Sequence, residues 1–217
     1  MKTFFSSTKV QIGIAGLIIL LAIILGVTDW KLPGTSTTKT SSTNRSTNQS
    51  TTVPTYVSTI LPAEQITGKQ VHITTPKGDI IFSLDAAQSP IAISNFVKLA
   101  GEGYYNGIKW HRVESWVIQG GDPQTKDASI SPNLWGTGGP GYTIQDEPVT
   151  GDYLTGVVAM AKTSAPNSAG SQIFILKADT PLPKSYQIIG KVTSGLDVVQ
   201  AIAVGDTMTT VVIEPAS

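Results

Sequence analysis

Few side chains in this sequence are equipped for covalent or redox chemistry. It contains no cysteine and only two histidines, His72 and His111. That inventory removes a thiol nucleophile, a disulfide framework and a cysteine-based zinc site, and it leaves almost no room for a Ser-His-Asp triad or any other metal site. His111 stands beside Arg112, but neighbours in a strand point to opposite faces, so the two cannot share one pocket. No nucleophile or carboxylate is spaced to work with His111. It is expected to be a structural histidine bonded to nearby backbone, and so is His72. The run Gly136-Thr137-Gly138-Gly139-Pro140-Gly141 fits the dinucleotide pattern G-x-G-x-x-G. That chemistry needs a strand before the glycines and a helix after them. Here a polar loop precedes, Pro140 interrupts, and Tyr142-Thr143-Ile144 continues as a strand, so the stretch is a glycine-rich surface loop.

Three longer runs carry more information. They are Trp110-His111-Arg112-Val113-Glu114-Ser115-Trp116-Val117-Ile118-Gln119-Gly120-Gly121-Asp122, then Gly156-Val157-Val158-Ala159-Met160-Ala161, then Ser168-Ala169-Gly170-Ser171-Gln172-Ile173-Phe174-Ile175. Together they resemble the cyclophilin family, whose signature is F-H-R-V-x-x-x-F-x-x-Q-G-G-D followed by G-x-x-x-M-A and G-S-Q-F-F-I. Ile189-Gly190-Lys191-Val192 and the loop residues Gly139, Gly141, Asp146 and Glu147 fit the same family. The resemblance runs from about Gln70 to Ile213, and motifs this long in one order are jointly specific.

The resemblance implies a peptidyl-prolyl cis/trans isomerase with no metal and no organic cofactor. By position, Arg112 matches the catalytic arginine and Gln119 the glutamine that orients it. Trp116, Val117, Phe174 and Leu182 match the walls of a proline pocket, Tyr186 its edge, and Ala161 and Gln172 the neighbouring groove. Four positions depart from the family: Trp116 for Phe, Val117 for Met, Ile173 for a Phe beside the pocket, and Pro181 for the Trp of cyclosporin-sensitive members. The last implies weak cyclosporin binding. The alternative is a catalytically weak proline-peptide binding module on the same fold, with the altered Trp116, Val117 and Ile173 as its support. A surface protein whose stalk is the working part is a further alternative.

The chemistry needs such residues. An X-Pro bond isomerises slowly because amide resonance must be broken, against a barrier of about 18–20 kcal/mol. The catalyst has to hold the twisted amide better than either planar form. Twisting localises a lone pair on the prolyl nitrogen, and a guanidinium can donate to it in that state alone.

Those residues must be positioned by strands. Val71 and Ile73, then Ile80, Phe82 and Leu84, alternate around Pro76-Lys77-Gly78 as a hairpin. Ser89-Pro90 opens a helix, with Ser89 as N-cap, and Gly101 and Gly103 stop it. Short strands follow within 110–119, at 157–160, 173–176, 188–192 and 211–213, with a second short helix over 195–203. The pattern predicts a mainly β fold, a closed antiparallel barrel with two short capping helices, preceded by one transmembrane helix; the family resemblance implies that the barrel has eight strands.

Val10 to Val27 has no charged residue and one polar one, Gln11. About eighteen residues at 1.5 Å each span roughly 27 Å, close to a bilayer's hydrocarbon core. Residues 1–9 are a short tail, 10–28 an uncleaved signal anchor, 29–61 a Ser/Thr-rich disordered linker and 62–217 the isomerase domain. The expected placement is single-pass, with the domain outside the cytoplasm. Lys and Arg total 15, as do Asp and Glu, and a domain without a basic excess is poorly suited to nucleic acid. The expected partners are proline-containing polypeptides and the membrane, and the domain is expected to be a monomer.

Overall fold

The structure is a computed structural model that describes residues 56–216. The expected anchor over 10–28, and the linker up to residue 55, lie outside the described residues. Among the described residues no helix is long and apolar enough to cross a membrane.

The elements follow from local sequence. Strands β2 (Lys69–Thr75) and β3 (Gly78–Leu84) form the expected hairpin, in register Thr75↔Gly78 around the two-residue turn Pro76-Lys77. Gly78 has φ 127°, a conformation that side chains other than glycine's rarely adopt. Val71, Ile73, Ile80 and Phe82 point inward and are fully buried. Helix α2 (Pro90–Gly101) starts after Ser89 and carries Ile93, Phe96, Leu99 and Ala100 on its buried face. The expectation for Ser89 needs correction: it occupies the N-cap position, but its side chain makes no capping bond. The Ile91 and Ala92 amides instead donate to the two carboxylate oxygens of Glu147, at 2.8 and 2.9 Å. A charged acceptor at a helix N-terminus meets both the orphan amides and the dipole.

Six further strands are β4 (Arg112–Val113), β5 (Val117–Gly120), β7 (Val157–Met160), β8 (Ile173–Leu176), β9 (Ile188–Ser194) and β10 (Thr210–Pro215). They join β2 and β3 in one eight-stranded sheet of order β10-β2-β3-β9-β7-β8-β5-β4. Every pair is antiparallel. The sheet is a curled half-barrel rather than a fully paired closed barrel, because the edge strands β10 and β4 share no ladder. The adjoining segments meet instead, through the single bridge Lys109↔Thr207 and bonds such as Trp110 N–H to Asp206 O at 2.8 Å.

Two features add to the expectation. Strand β1 (Tyr56–Val57) pairs in parallel with β6 (Thr143–Ile144), so the last part of the stretch read as linker is ordered against the domain. Among the described residues the α-helices number three rather than two: α1 (Ala63–Ile66), α2, and α3 (Leu196–Ala201), which Gly195 opens with φ 83°.

Strands β7 and β8 are buried at every position, as strands covered on both faces must be. Val158, Met160, Ile173 and Ile175 point into the main core with Ile118 of β5. Val157, Ala159, Phe174 and Leu176 point the other way, into a second cluster with Val117, Tyr153 and Ile188. Ile173 therefore lies on the core side and not beside the pocket, so its departure from the family pattern alters the interior.

Candidate active site

The short hairpin β4–β5 sets the site. Arg112 pairs with Gln119 across the two strands, and directly opposed residues share a face. Arg112 Nη1 donates to Gln119 Oε1 at 3.3 Å. Arg112 Nε donates to Glu114 Oε1 at 2.8 Å, and the guanidinium lies 5.2 Å from the centre of the Trp116 ring. The Glu114 N–H bonds to Val117 O at 2.8 Å, which closes the turn tightly. From arginine to aromatic the hairpin is one residue shorter than the family signature. That shortening brings Glu114 and Trp116 into the turn beside Arg112.

A chain of amides continues from Gln119. Its Nε2 donates to Gln172 Oε1 at 2.9 Å. Gln172 Nε2 donates in turn to the carbonyls of Gly136 and Gly138, at 2.9 and 2.8 Å. The amides of those same glycines donate to Asp122 Oδ2, at 2.6 and 3.1 Å. Asp122 is fully buried. A Cβ at Gly138 would sit 2.2 Å from Asp122 Oδ1, so glycine is required for the loop to close on the carboxylate. The glycine-rich run is thus a rim that binds side chains through its backbone, with a strand after it. Asp122 stands inside the quoted signature, but its part in holding the rim appears only in three dimensions.

Arg112, Trp116, Val117, Gln119, Ala161, Gln172, Phe174, Leu182 and Tyr186 all line one groove of about 560 Å³. The structure brings all nine positions together. Val117 and Phe174 are nearly buried, Arg112 is exposed, and the others are half-buried. Phe174 meets the Tyr186 ring edge-on at 5.6 Å. Tyr186 is fixed from behind, because its amide donates to the Tyr153 hydroxyl and its carbonyl accepts from it, both at 2.9 Å. Tyr142, Lys162 and Thr163 also line the groove and were not singled out from sequence. Lys162 follows Ala161 directly, and its ammonium is paired with Asp146.

His111 does not reach the groove. Its backbone amide bonds to Gln119 O at 3.0 Å, but neither ring nitrogen has a hydrogen-bond partner among the described residues. The expected bond from ring to backbone is therefore not formed. The ring packs under Gly136 instead, and burial lowers its pKa below the usual 6.5; Asp122 opposes the shift and Arg112 adds to it. His72 lies on the sheet beside carboxylates, with Nε2 3.1 Å from Asp79 Oδ2. Glu114 is held below the usual carboxylate range, first by its bond to Arg112 and then by the charge. Among the described residues no group of His, Asp and Glu is placed to hold a metal ion. The groove offers directed donors, the Arg112 guanidinium and the Gln119 amide, beside an apolar wall. That arrangement can stabilise a distorted polar group without moving a proton or forming a covalent bond.

The family model for cyclophilin type peptidyl-prolyl cis-trans isomerase/CLD matches residues 70–216. A peptidyl-prolyl cis-trans isomerase of Helicobacter pylori is 39% identical over 146 residues, 64% of this chain and 83% of its own length. Peptidyl-prolyl cis-trans isomerase B of Bacillus subtilis is 38% identical over 139 residues, 62% and 90% of the two chains. A crystal structure of a Cryptosporidium parvum cyclophilin type peptidyl-prolyl cis-trans isomerase superposes with a TM-score of 0.58 at 30% identity, covering 67% of this chain and 97% of that one. The same protein in the presence of the dipeptide Ala-Pro gives 0.57 at 31%, covering 67% and 98%.

Proposed function

Because the chain belongs to the cyclophilin-type peptidyl-prolyl cis-trans isomerase family, we propose that its groove catalyses X-Pro isomerisation through Arg112, with Gln119 as its orienting partner. The isomerase activity follows from the family; the residue roles rest on the groove. The carrying observation is that the Arg112 guanidinium, bonded to Gln119, lies along the same groove as Val117, Phe174 and Leu182.

Those apolar side chains, with Trp116 and Tyr186 at the edge, grip the pyrrolidine ring while the preceding carbonyl swings. Gln172 and Ala161 line the adjoining stretch, where the substrate backbone continues. As the amide twists, the prolyl nitrogen acquires a lone pair that Arg112 donates to. The bond is strong in the twisted state and weak in either planar one, so it lowers the barrier and not the ground state. Lysine would return the charge without the planar fork that sets direction. The Ala-Pro dipeptide used with the Cryptosporidium protein supports proline-containing polypeptides as substrates here.

Arg112→Ala is expected to slow isomerisation of a short X-Pro peptide by roughly thirty- to a thousand-fold, about 2–4 kcal/mol of transition-state stabilisation, with the fold intact. Exchange spectroscopy on the peptide measures the rate and circular dichroism the fold. Wild-type rates in a folded Arg112→Ala protein would remove Arg112 from the mechanism.

The same reading extends to the rest of the chain. The uncharged run from Val10 to Val27 supports a single membrane anchor over 10–28, with a monomeric isomerase domain outside the cytoplasm that assists folding there. Carbonate extraction is expected to leave the protein in the membrane fraction, and a mature chain that begins after Val27 would refute the anchor.

A further inference from the structure

We propose that Glu114 is a positioning residue for isomerisation, fixing the plane of the Arg112 guanidinium through a hydrogen bond to Nε. This rests on the assignment of Arg112 above. The observation is that Arg112 is constrained on three sides: Nε by Glu114 at 2.8 Å, Nη1 by Gln119 at 3.3 Å, and one face by the Trp116 ring at 5.2 Å. Among the described residues Nη2 has no hydrogen-bond partner, and Arg112 lines the groove. Nη2, with both hydrogens unengaged, is therefore the main donor left for a substrate, beside the second hydrogen of Nη1, and its direction is set by what holds the other two nitrogens.

A stabilising role for the pair is small. The two side chains are 43% and 47% exposed, and ion pairs so open to solvent contribute little to folding. A directional role is different, because an arginine side chain on an exposed hairpin has several torsions to freeze before it can donate along one line. Gln119 alone holds one nitrogen, which leaves the guanidinium free to rock about that bond. A second bond at Nε stops the rocking. The shortened turn between Val113 and Val117 is what carries Glu114 to that place.

Two effects of the carboxylate oppose one another. As an acceptor it orders Arg112, and as an anion it weakens the positive field that the prolyl nitrogen meets. Glutamine separates them, since its amide oxygen accepts the same bond without the charge. On the full chain, with kcat and KM measured for an X-Pro peptide, Glu114→Ala is expected to lower kcat by about three- to tenfold and to leave KM within about twofold. Glu114→Gln is expected to restore at least half of the lost rate. In an Arg112→Ala background, Glu114→Ala is expected to change nothing further, which a merely structural residue would not show.

Wild-type kcat in folded Glu114→Ala overturns the proposal, as does a Gln variant no better than Ala. If Arg112→Ala itself keeps the wild-type rate, the mechanism above falls and this inference with it. If Arg112→Ala collapses while Glu114→Ala does not, the inference falls alone.

Discussion

Strands β5, β7 and β8 have two apolar faces that do different work. The inner face, with Ile118, Val158, Met160, Ile173 and Ile175, is wholly buried. The outer face, with Val117, Ala159 and Phe174, is closed over by a ring of half-buried side chains: Trp116, Ala161, Leu182 and Tyr186. Both faces exclude water from apolar carbon, yet only the outer one is open enough to admit a pyrrolidine ring. Close packing on the inner face leaves no volume for a ligand. The outer face keeps its volume because its walls are braced from outside, by Tyr153 behind Tyr186 and by the Asp122-bound rim beyond Gln172. A pocket thus arises where a hydrophobic cluster is left unfilled by its own side chains and prevented from collapsing.

Adjacent residues on β8 sharpen the contrast. Ile175→Ala removes inner-face volume that nothing can refill, so it is expected to cost about 2–5 kcal/mol of stability. The isomerisation rate per folded molecule is expected to stay within about twofold. Phe174→Ala opens its void to the groove, where water enters, so the enclosed-cavity penalty is absent and about 1.5–3 kcal/mol is lost. Its specificity constant, kcat/KM, is expected to fall by about tenfold or more, because one wall of the proposed proline pocket is gone. Urea melts and exchange spectroscopy on the two variants separate these outcomes. Equal kinetic losses in both would mean that the two faces are not functionally distinct.

The two faces also differ in how legible they were. Val157–Met160 and Ile173–Leu176 were readable as strands from their apolar runs. A run without polar residues, however, carries no alternation to say which side faces what. The family pattern puts Ile173 beside the pocket, the run offers no local sign against that, and the side chain faces the core. The nine groove positions came from motif resemblance, and the fold brings them together because the antiparallel registers set Arg112 against Gln119, and Gln119 against Phe174. What escaped was what depends on distant partners. Glu147 caps α2 across fifty-five residues of sequence, and local rules favour the nearer Ser89. Strand β1 has two residues and no hydrophobic period of its own. It is held by its partner β6 and by the Gln145 amide on Val57 O at 3.0 Å. The shortening of the β4–β5 turn is visible in the sequence, but its meaning lies in the contact it allows between Glu114 and Arg112.

The smallest expected effect concerns the pair His111 and Arg112, neighbours in sequence that serve opposite sides of the rim. The His111 ring is packed under Gly136 with both nitrogens out of reach of water and of any partner among the described residues. Burial therefore favours the neutral ring and holds its pKa below 6.5, although Asp122 pulls the other way. As pH falls through 6.5 the unfolded chain takes up this proton before the folded one does. Stability from this group is full above that pH and is lost as pH falls through the lowered folded value. Glu114, Asp179 and Asp206 shift in the same sense, but from ordinary values of 4.5, 3.8 and 3.8, so they act in a more acidic window. Thermal melts between pH 7 and 5 are expected to show a decline that His111→Gln flattens. Isomerisation per folded molecule is expected not to follow that decline, because His111 lies outside the groove. A His111→Gln protein with the same slope would place the titrating group elsewhere. A rate that tracked the melts would instead tie the ring under the rim to the chemistry above it, and the separation between a structural and a working side would fail at this one position.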